Sequence, residues 1–287
     1  MDLDTVSEVV LARERADLAQ VGAGTAVLAG GTFLFSEPHD HLDRLVDITT
    51  LGWAPLRASA QGLEIAATCT LAEFAGARPG RELGTPVLWP EWPGTALFAQ
   101  SCRALLASHK IWRTATVGGN VCLSLPAGAV LGALVALDAT AAIWPRGGGE
   151  RRIALRDFVT APGENLLAEG AVVRSFLVPT SSLLARTSFR KIALAPLGRS
   201  GSVVMGRHQS DGRCAITITA ATVRPIVLDF DSVPSQSDLT DALADLGNDV
   251  WFDDPHGAPD WRRHVTGLLA AEVAAELRGP ACAAESC

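Results

Sequence analysis

The chain has 287 residues, 48% of them hydrophobic and 19% charged, with 27 Gly and 16 Pro. That length allows one large or two modest domains with ample core, and the composition excludes a disordered or fibrous chain. A net charge of −7 and a pI of about 5.4 give no field to gather nucleic acid or an anionic membrane, so no nucleic-acid partner is expected. The charged fraction lies below the usual ~25%, and the mean hydropathy is +0.24; surface covered by a partner is one explanation.

The start, MDLDTVSEVV, is acidic where a secretory signal is basic, and no apolar run follows it, so a cytoplasmic protein is expected. Residues ~5–20 carry Val6, Val9, Val10, Ala16 and Leu18 among charges and predict a helix ending near Gly22. AVLAGGT then predicts a short buried strand entering a glycine turn, with another strand at Leu45 to Ile48. GLEIAATCTLAEF predicts a strand and a helix starting at Thr70, where Glu73 completes a capping box. Residues 78–94, rich in Gly, Pro and Trp, predict an ordered loop.

A helix is expected over Ala96 to His109, then a loop at TATVGGN. The apolar stretch from Ala127 to Trp144 predicts a buried helix running into a strand; it follows Pro126 and carries Asp138, which argues against a membrane span. GGGERR (147–152) predicts a hairpin turn. The strand AVVRSFLVP leads to a boundary expected near Pro179 to Ser182. Beyond it FRKIALA, SVVMGRH and CAITITAATVRPIVLDF predict antiparallel strands, with Asp211-Gly212 as a turn. A terminal helix is expected over 261–278, presenting Trp261, Val265, Leu268, Leu269, Val273 and Leu277 on one face and stopped by Gly279-Pro280.

Cys69, Cys102, Cys122, Cys214, Cys282 and Cys287 form no CxxC pair and read as reduced, mostly buried thiols. Gly22-Ala23-Gly24 begins a nicotinamide fingerprint, but Val27 holds the third glycine's place and a strand follows where a helix is required. Gly198-Arg199-Ser200-Gly201 misses the nucleophile elbow because Ser202 replaces its last glycine. Arg151-Arg152 and Arg262-Arg263 read as solvated pairs. The run His39-Asp40-His41-Leu42-Asp43 carries the HxHxD pattern of a metal-activated hydrolase. Arg44 stands where such motifs have another His, and His109, His208, His256 and His264 supply no recognisable second ligand pair.

Glycine doublets arise by chance in a chain with 27 glycines, so context must carry any claim for them. Gly30-Gly31 follows an apolar strand and precedes Thr32, and Gly118-Gly119 lies between Thr116 and Asn120. Both arrangements can bring bare backbone N–H groups to a phosphate, which a Cβ would obstruct.

These two segments in order make the chain resemble the FAD-binding medium subunit of molybdenum hydroxylases, the group containing carbon monoxide dehydrogenase, xanthine dehydrogenase and nicotine dehydrogenase. Leu28-Ala29-Gly30-Gly31-Thr32 is similar to the family's first flavin loop and Thr116-Val117-Gly118-Gly119-Asn120 to its second. The LVDI strand, the PAGAVLGALVALDA helix and the tail DPHGAPDWRRHVTGLLA follow family order.

The resemblance implies an α+β fold: a two-part α/β FAD-binding domain (PCMH-like) over 1–179, then a smaller domain of antiparallel sheet plus helix over 180–287. It implies that Ala29, Gly30, Gly31, Thr32 and Phe33, with Thr116, Val117, Gly118, Gly119 and Asn120, hold the FAD diphosphate and ribityl chain. Ser124 and Leu166 would lie nearer the flavin, and Lys191 is carried over from the start of the second domain. It also implies no catalytic acid or base on this chain, an iron-sulfur small subunit that supplies electrons, and a large subunit whose molybdenum cofactor hydroxylates the substrate. Whether such a heterotrimer doubles, and what accepts the electrons, stays open.

The sequence departs from the family pattern at Phe33, often polar, at Ala129, where a PAAD-type run has Asp, and over Ala195 to Gly206. It has no Tyr, so aromatic cover for a flavin must come from Phe or Trp. Two alternatives remain at this point: a stand-alone flavin oxidoreductase, and a metallohydrolase using His39, His41 and Asp43.

Overall fold

The computed structural model describes residues 3–76 and 91–279. Most of the loop expected over 78–94, and both Cys282 and Cys287, lie outside the described residues.

Strands β1 (Glu8–Leu11) and β2 (Thr25–Leu28) each pair in parallel with β3 (Arg44–Asp47), giving a small sheet in the order β1-β3-β2. The helix expected over ~5–20 is therefore corrected to a strand followed by a 3-10 turn, Arg15–Gln20. Two physical causes are visible. The adjacent valines at 9 and 10 favour a strand once β3 offers a pairing edge, and the Asp17 carboxylate accepts from the Arg13 and Glu14 N–H groups at 2.7 and 3.0 Å, which delays helical winding until Arg15.

β4 (Leu56–Ser59) and β5 (Gly62–Ala66) form a hairpin that leads to α1 (Leu71–Phe74). Its expected capping box is present: the Glu73 N–H donates to Thr70 Oγ1 at 3.2 Å while the Thr70 N–H donates to Glu73 Oε2 at 2.9 Å. The helix expected over Ala96 to His109 breaks into α2 (Ala96–Ala104) and α3 (His109–Thr114). Leu105 turns extended, with ψ 137°, and Ser108 recaps the chain through the Ile111 N–H.

After α3 come α4 (Val117–Cys122) and α5 (Ala129–Ala136), the latter buried at every position. They are followed by β6 (Thr140–Trp144), β7 (Arg151–Ala154), α6 (Leu155–Phe158), β8 (Val159–Ala161), β9 (Glu164–Asn165) and β10 (Val172–Pro179). A five-stranded antiparallel sheet runs β4-β5-β10-β6-β7.

The chain continues through α7 (Thr180–Leu183) into β11 (Arg186–Ile192), β12 (Ser202–His208), β13 (Cys214–Thr219) and β14 (Ile226–Phe230), a four-stranded antiparallel meander. Asp211-Gly212 makes the turn between β12 and β13, as expected. Then come α8 (Gln236–Ala244), which hydrophobic patterning did not single out, and α9 (Pro259–Arg278). The fold is thus mixed α and β, with the smaller antiparallel sheet and its helices at the C-terminal end.

Helix α5 ties the two larger sheets together. Its Leu131 and Leu134 share one hydrophobic cluster with Ile65 and Phe176 of the first sheet and with Val203 and Met205 of the second. A Cβ on Gly132 would come within 2.7 Å of Thr219 Cγ2, so glycine there permits the close approach of helix and sheet. The far face of the second sheet packs Val204 and Ile216 against Leu239 of α8 and Leu269, Val273 and Leu277 of α9.

Two sequence expectations fail on α9. Leu268 is 54% exposed, and Ala270 and Ala274 occupy the buried stripe beside Leu269. Arg262 is not solvated but 1% exposed; its guanidinium donates to the carbonyls of Gly257 at 2.7 Å and Gly201 at 2.8 Å, to the Ala220 carbonyl, and to Asp254. Three loops end at that one side chain, and burial is tolerated because its N–H groups find acceptors.

Candidate functional site

The first glycine segment begins where β2 ends. The Ile48 N–H donates to the Leu28 carbonyl at 2.9 Å, fixing the end of β2 against β3. The chain then turns at Gly31, whose φ of +66° suits glycine. The turn is closed by the Phe35 N–H on the Gly31 carbonyl at 2.9 Å and by the Ser36 N–H on the Phe33 carbonyl at 2.8 Å. Among the described residues, the successive N–H groups of Gly30, Gly31, Thr32, Phe33 and Leu34 have no acceptor, and all five residues are half-buried. A run of unpaired amides around a left-handed residue is a nest that binds anions.

Gly30 has a different role. A Cβ there would lie 2.0 Å from the Thr114 carbonyl oxygen and 3.0 Å from the Ala115 Cα. The nest is therefore seated directly on the two residues that precede Thr116, and the fold brings the two glycine segments together.

The second segment is not the open loop the sequence suggests. It is the start of α4, and its amides are occupied: Val117 donates to the Cys69 carbonyl at 2.8 Å, Gly118 to the Ala67 carbonyl at 2.9 Å, and Asn120 to the Thr116 carbonyl at 3.0 Å. Gly119 donates to the capping Thr116 Oγ1 at 3.1 Å. The reason is local, since the strand end after β5 presents carbonyls where a helix start has spare donors. Gly118 is needed for that approach, because its Cβ would meet the Ala67 oxygen and Cβ at 2.7 Å. A Cβ on Gly119 would meet only Thr116 Oγ1, at 3.2 Å, so its outer side is open.

Asn120 docks the next helix by accepting from the Leu131 N–H at 3.3 Å through Oδ1. It also lines a cleft of about 210 Å³ together with Leu105, Leu106, Leu125, Gly128 and Arg199. Ala129 opens α5 fully buried, so no acidic side chain projects there.

Ser124 is buried with φ +50°. Asn165, which sequence reasoning missed, holds it: Nδ2 donates to Ser124 Oγ at 3.0 Å and to the Cys122 carbonyl at 2.9 Å. Nothing in the run GENLL marks that asparagine, since its role depends on a contact 41 residues away. Leu166 follows it, anchored by its N–H on the Phe158 carbonyl at 2.9 Å yet 40% exposed. Lys191 stands exposed on β11, and its side chain makes no hydrogen bond or ion pair among the described residues.

The remaining sequence candidates resolve differently. Ser200 is buried, with its hydroxyl 3.5 Å from the Ala104 carbonyl. The His39 and His41 rings meet edge to face at 5.9 Å, and among the described residues no group of three His, Cys, Asp or Glu could hold a metal. Among the described residues, the metallohydrolase alternative finds no assembled ligand set. Cys69, Cys102 and Cys214 are buried free thiols and Cys122 is half-buried; burial pushes the Cys102 thiol up to about 12.

A backbone nest at the end of a parallel strand, seated against a second glycine segment, is an arrangement suited to the diphosphate of a dinucleotide. Residues 5–181 match the family described as the FAD binding domain in molybdopterin dehydrogenase. The chain belongs to that family.

In fold it is similar to a chain of reconstituted CO dehydrogenase from Oligotropha carboxidovorans, at 16% identity and a TM-score of 0.81 over 97% of this chain and 99% of that one. It is similar also to a chain of quinoline 2-oxidoreductase from Pseudomonas putida 86, at 17% identity and a TM-score of 0.78, again over 97% and 99%. CO dehydrogenase from Hydrogenophaga pseudoflava gives 16% identity and a TM-score of 0.76 over 95% and 98%. No curated protein matches by sequence. Among the described residues, no helix is long and apolar enough to cross a membrane.

The residues fit FAD. Gly31 leaves the nest free of a Cβ, the amides from Gly30 to Leu34 supply donors for a diphosphate, and Phe33 is an aromatic neighbour within the same turn.

Proposed function

We propose that this chain is the FAD-carrying, electron-transfer subunit of a molybdenum hydroxylase. It takes electrons from iron-sulfur clusters on a small partner subunit and passes them to an external acceptor, while a large partner subunit with a molybdenum cofactor hydroxylates the substrate. The observation that carries the reading is the nest over Gly30 to Leu34 in a chain of this family. The names of the similar structures, CO dehydrogenase and quinoline 2-oxidoreductase, support the oxidoreductase class.

Bound FAD supplies the redox chemistry, accepting and releasing electrons, and the protein supplies position and surroundings. The Gly30 to Leu34 amides neutralise diphosphate charge with dipoles already oriented for it. Thr116 and Asn120 act by fixing α4 and α5, whose amides are already engaged. Asn165 orients the Ser124 hydroxyl, and Leu166 offers apolar surface beside it. Lys191, exposed on β11, enters the reading only as an expectation of the family resemblance.

The test is to purify the chain with FAD and measure visible absorption and acid-released flavin, then to co-express it with an iron-sulfur small subunit and a molybdenum large subunit from its own source. One non-covalent FAD per chain, and co-purification of all three proteins, is expected. Absence of flavin sinks the cofactor assignment; flavin on a chain that ignores both partners and oxidises a small substrate alone replaces the subunit reading with the stand-alone oxidoreductase.

A further inference from the structure

A cleft of about 650 Å³ lies away from the glycine segments, between the second sheet and the elements around α5 and α6. Its charged lining is Arg156, Arg207 and Arg213 with Asp138, Asp229 and Asp231. Most of these charges are already paired. Arg156 binds Asp229 at 2.8 Å and Asp138 at 3.6 Å, and Arg213 binds Asp211 at 2.8 Å.

Arg207 is the exception among the cations. It is 6% exposed on β12, its Nη1 donates to Ser182 Oγ at 2.8 Å, and its Nε is buried without a partner. No carboxylate among the described residues lies within ion-pair distance of it. Burial lowers its pKa from the ordinary value, while Asp138 and Asp229 pull in the other direction. An arginine that has left water and found one neutral hydroxyl is an incomplete arrangement. Asp231 is the exception among the anions: it is exposed at the same cleft and makes no hydrogen bond or ion pair among the described residues.

We infer that this cleft is a binding site for a small aminocarboxylate, whose carboxylate completes Arg207 and whose ammonium group faces Asp231. Guanidinium and carboxylate are complementary in shape as well as charge, and Arg207 lines the cleft with its buried Nε unpartnered. The three aspartates in the lining disfavour a dianion such as phosphate, while a zwitterion meets both unpaired charges without adding net charge. The site is separate from the proposed flavin cradle, so its success or failure leaves that reading untouched.

The experiment titrates the full, FAD-loaded chain with 4-aminobutyrate, butyrate and inorganic phosphate at constant ionic strength, by calorimetry and by the NMR signal of the Arg207 Nε–H. Expected are saturable binding of 4-aminobutyrate with a shifted Nε–H signal, several-fold weaker butyrate and no phosphate binding. Arg207→Met should weaken 4-aminobutyrate at least about tenfold, as loss of a hydrogen-bonded charged pair does. Asp231→Asn, at an exposed position that does not threaten folding, should lower affinity for 4-aminobutyrate several-fold and leave butyrate unchanged. Should Arg207→Met fail to fold, the Nε–H signal and Asp231→Asn still decide. No saturable binding, an unmoved Nε–H signal, phosphate binding as tightly, or Asp231→Asn affecting both probes equally would each overturn the proposal.

Discussion

The two glycine pairs look alike in the sequence and do different physical work. At Gly30-Gly31 the turn leaves a run of amides unpaired, and Gly31 adopts the left-handed conformation that lets them converge. At Gly118-Gly119 the amides are already spent on Ala67 and Thr116, and glycine serves to let α4 lie against the end of β5. On the function proposed above, the first pair is a binding surface and the second a joint that holds the surface's foundation. A glycine doublet therefore reports a close approach, and only its hydrogen-bond accounting says whether the visitor is a ligand or the protein itself.

The largest effects should come from the two glycines that meet backbone. Gly30→Val and Gly118→Val each drive a Cβ into main-chain atoms, 2.0 Å from the Thr114 oxygen and 2.7 Å from the Ala67 oxygen. Each should destabilise the chain by roughly 3 kcal/mol or more, because backbone cannot yield as a side-chain end can. Urea denaturation of the flavin-free proteins is the measurement. Full stability in Gly118→Val would show that α4 is not seated as a joint.

Next comes pH, which separates a dry region from a wet one. Cys69, whose carbonyl receives the Val117 N–H, has its thiol pushed well above 9.0 by burial, and Cys102 is pushed up to about 12 for the same reason. Both stabilise the fold fully below the unfolded value, and that contribution is lost as pH rises toward the folded one. At pH 10, one unit above the ordinary value, each thiol should cost about 1 kcal/mol. Cys69→Ser and Cys102→Ala flatten this alkaline loss, read as the urea midpoint between pH 8 and pH 10; an unchanged slope would mean the second region is not dry.

Much of this was legible in the sequence. β2, β3, β5, the Thr70 capping box, α5 and the C-terminal meander carry local signals that agree with their tertiary setting, and their expected positions hold. Failures occur where a distant partner decides. Glu8–Leu11 becomes a strand only because β3 pairs with it, and Arg262 looks like a surface charge until three loops supply carbonyls to it. The TVGGN segment reads as a loop because its glycines are poor helix formers, yet the chain just after β5 supplies the Ala67 and Cys69 carbonyls that start a helix there. Asn165 was invisible for the same reason: its partners, Cys122 and Ser124, lie far away in the chain.

A smaller effect is expected at Gly31. Alanine there keeps the Cβ away from backbone but places it 2.6 Å from the Phe35 ring, whose far edge can swing aside, and it must hold φ at +66°. The strain costs about 1–2 kcal/mol in stability. FAD affinity should fall by more than stability does, because relaxing the strain moves the amides out of convergence. Flavin fluorescence titration beside urea denaturation gives both numbers, and equal losses would show that the nest contributes nothing specific.

The smallest effect belongs to Gly119, and it is the one that divides the two glycine pairs most sharply. Its Cβ would meet only the Thr116 hydroxyl, at 3.2 Å, and its φ is not left-handed. Alanine replaces glycine inside a short helix, a change that favours the helix by up to about 1 kcal/mol, offset by a slight displacement of the Thr116 cap. Stability of the flavin-free chain should therefore stay within about 0.5 kcal/mol of the parent. The flavin readout then locates the ligand. Unchanged FAD affinity in Gly119→Ala confines direct diphosphate contact to the first pair; a large loss of affinity at unchanged stability means that the open side of Gly119 faces the cofactor after all, and the joint is also a wall of the site.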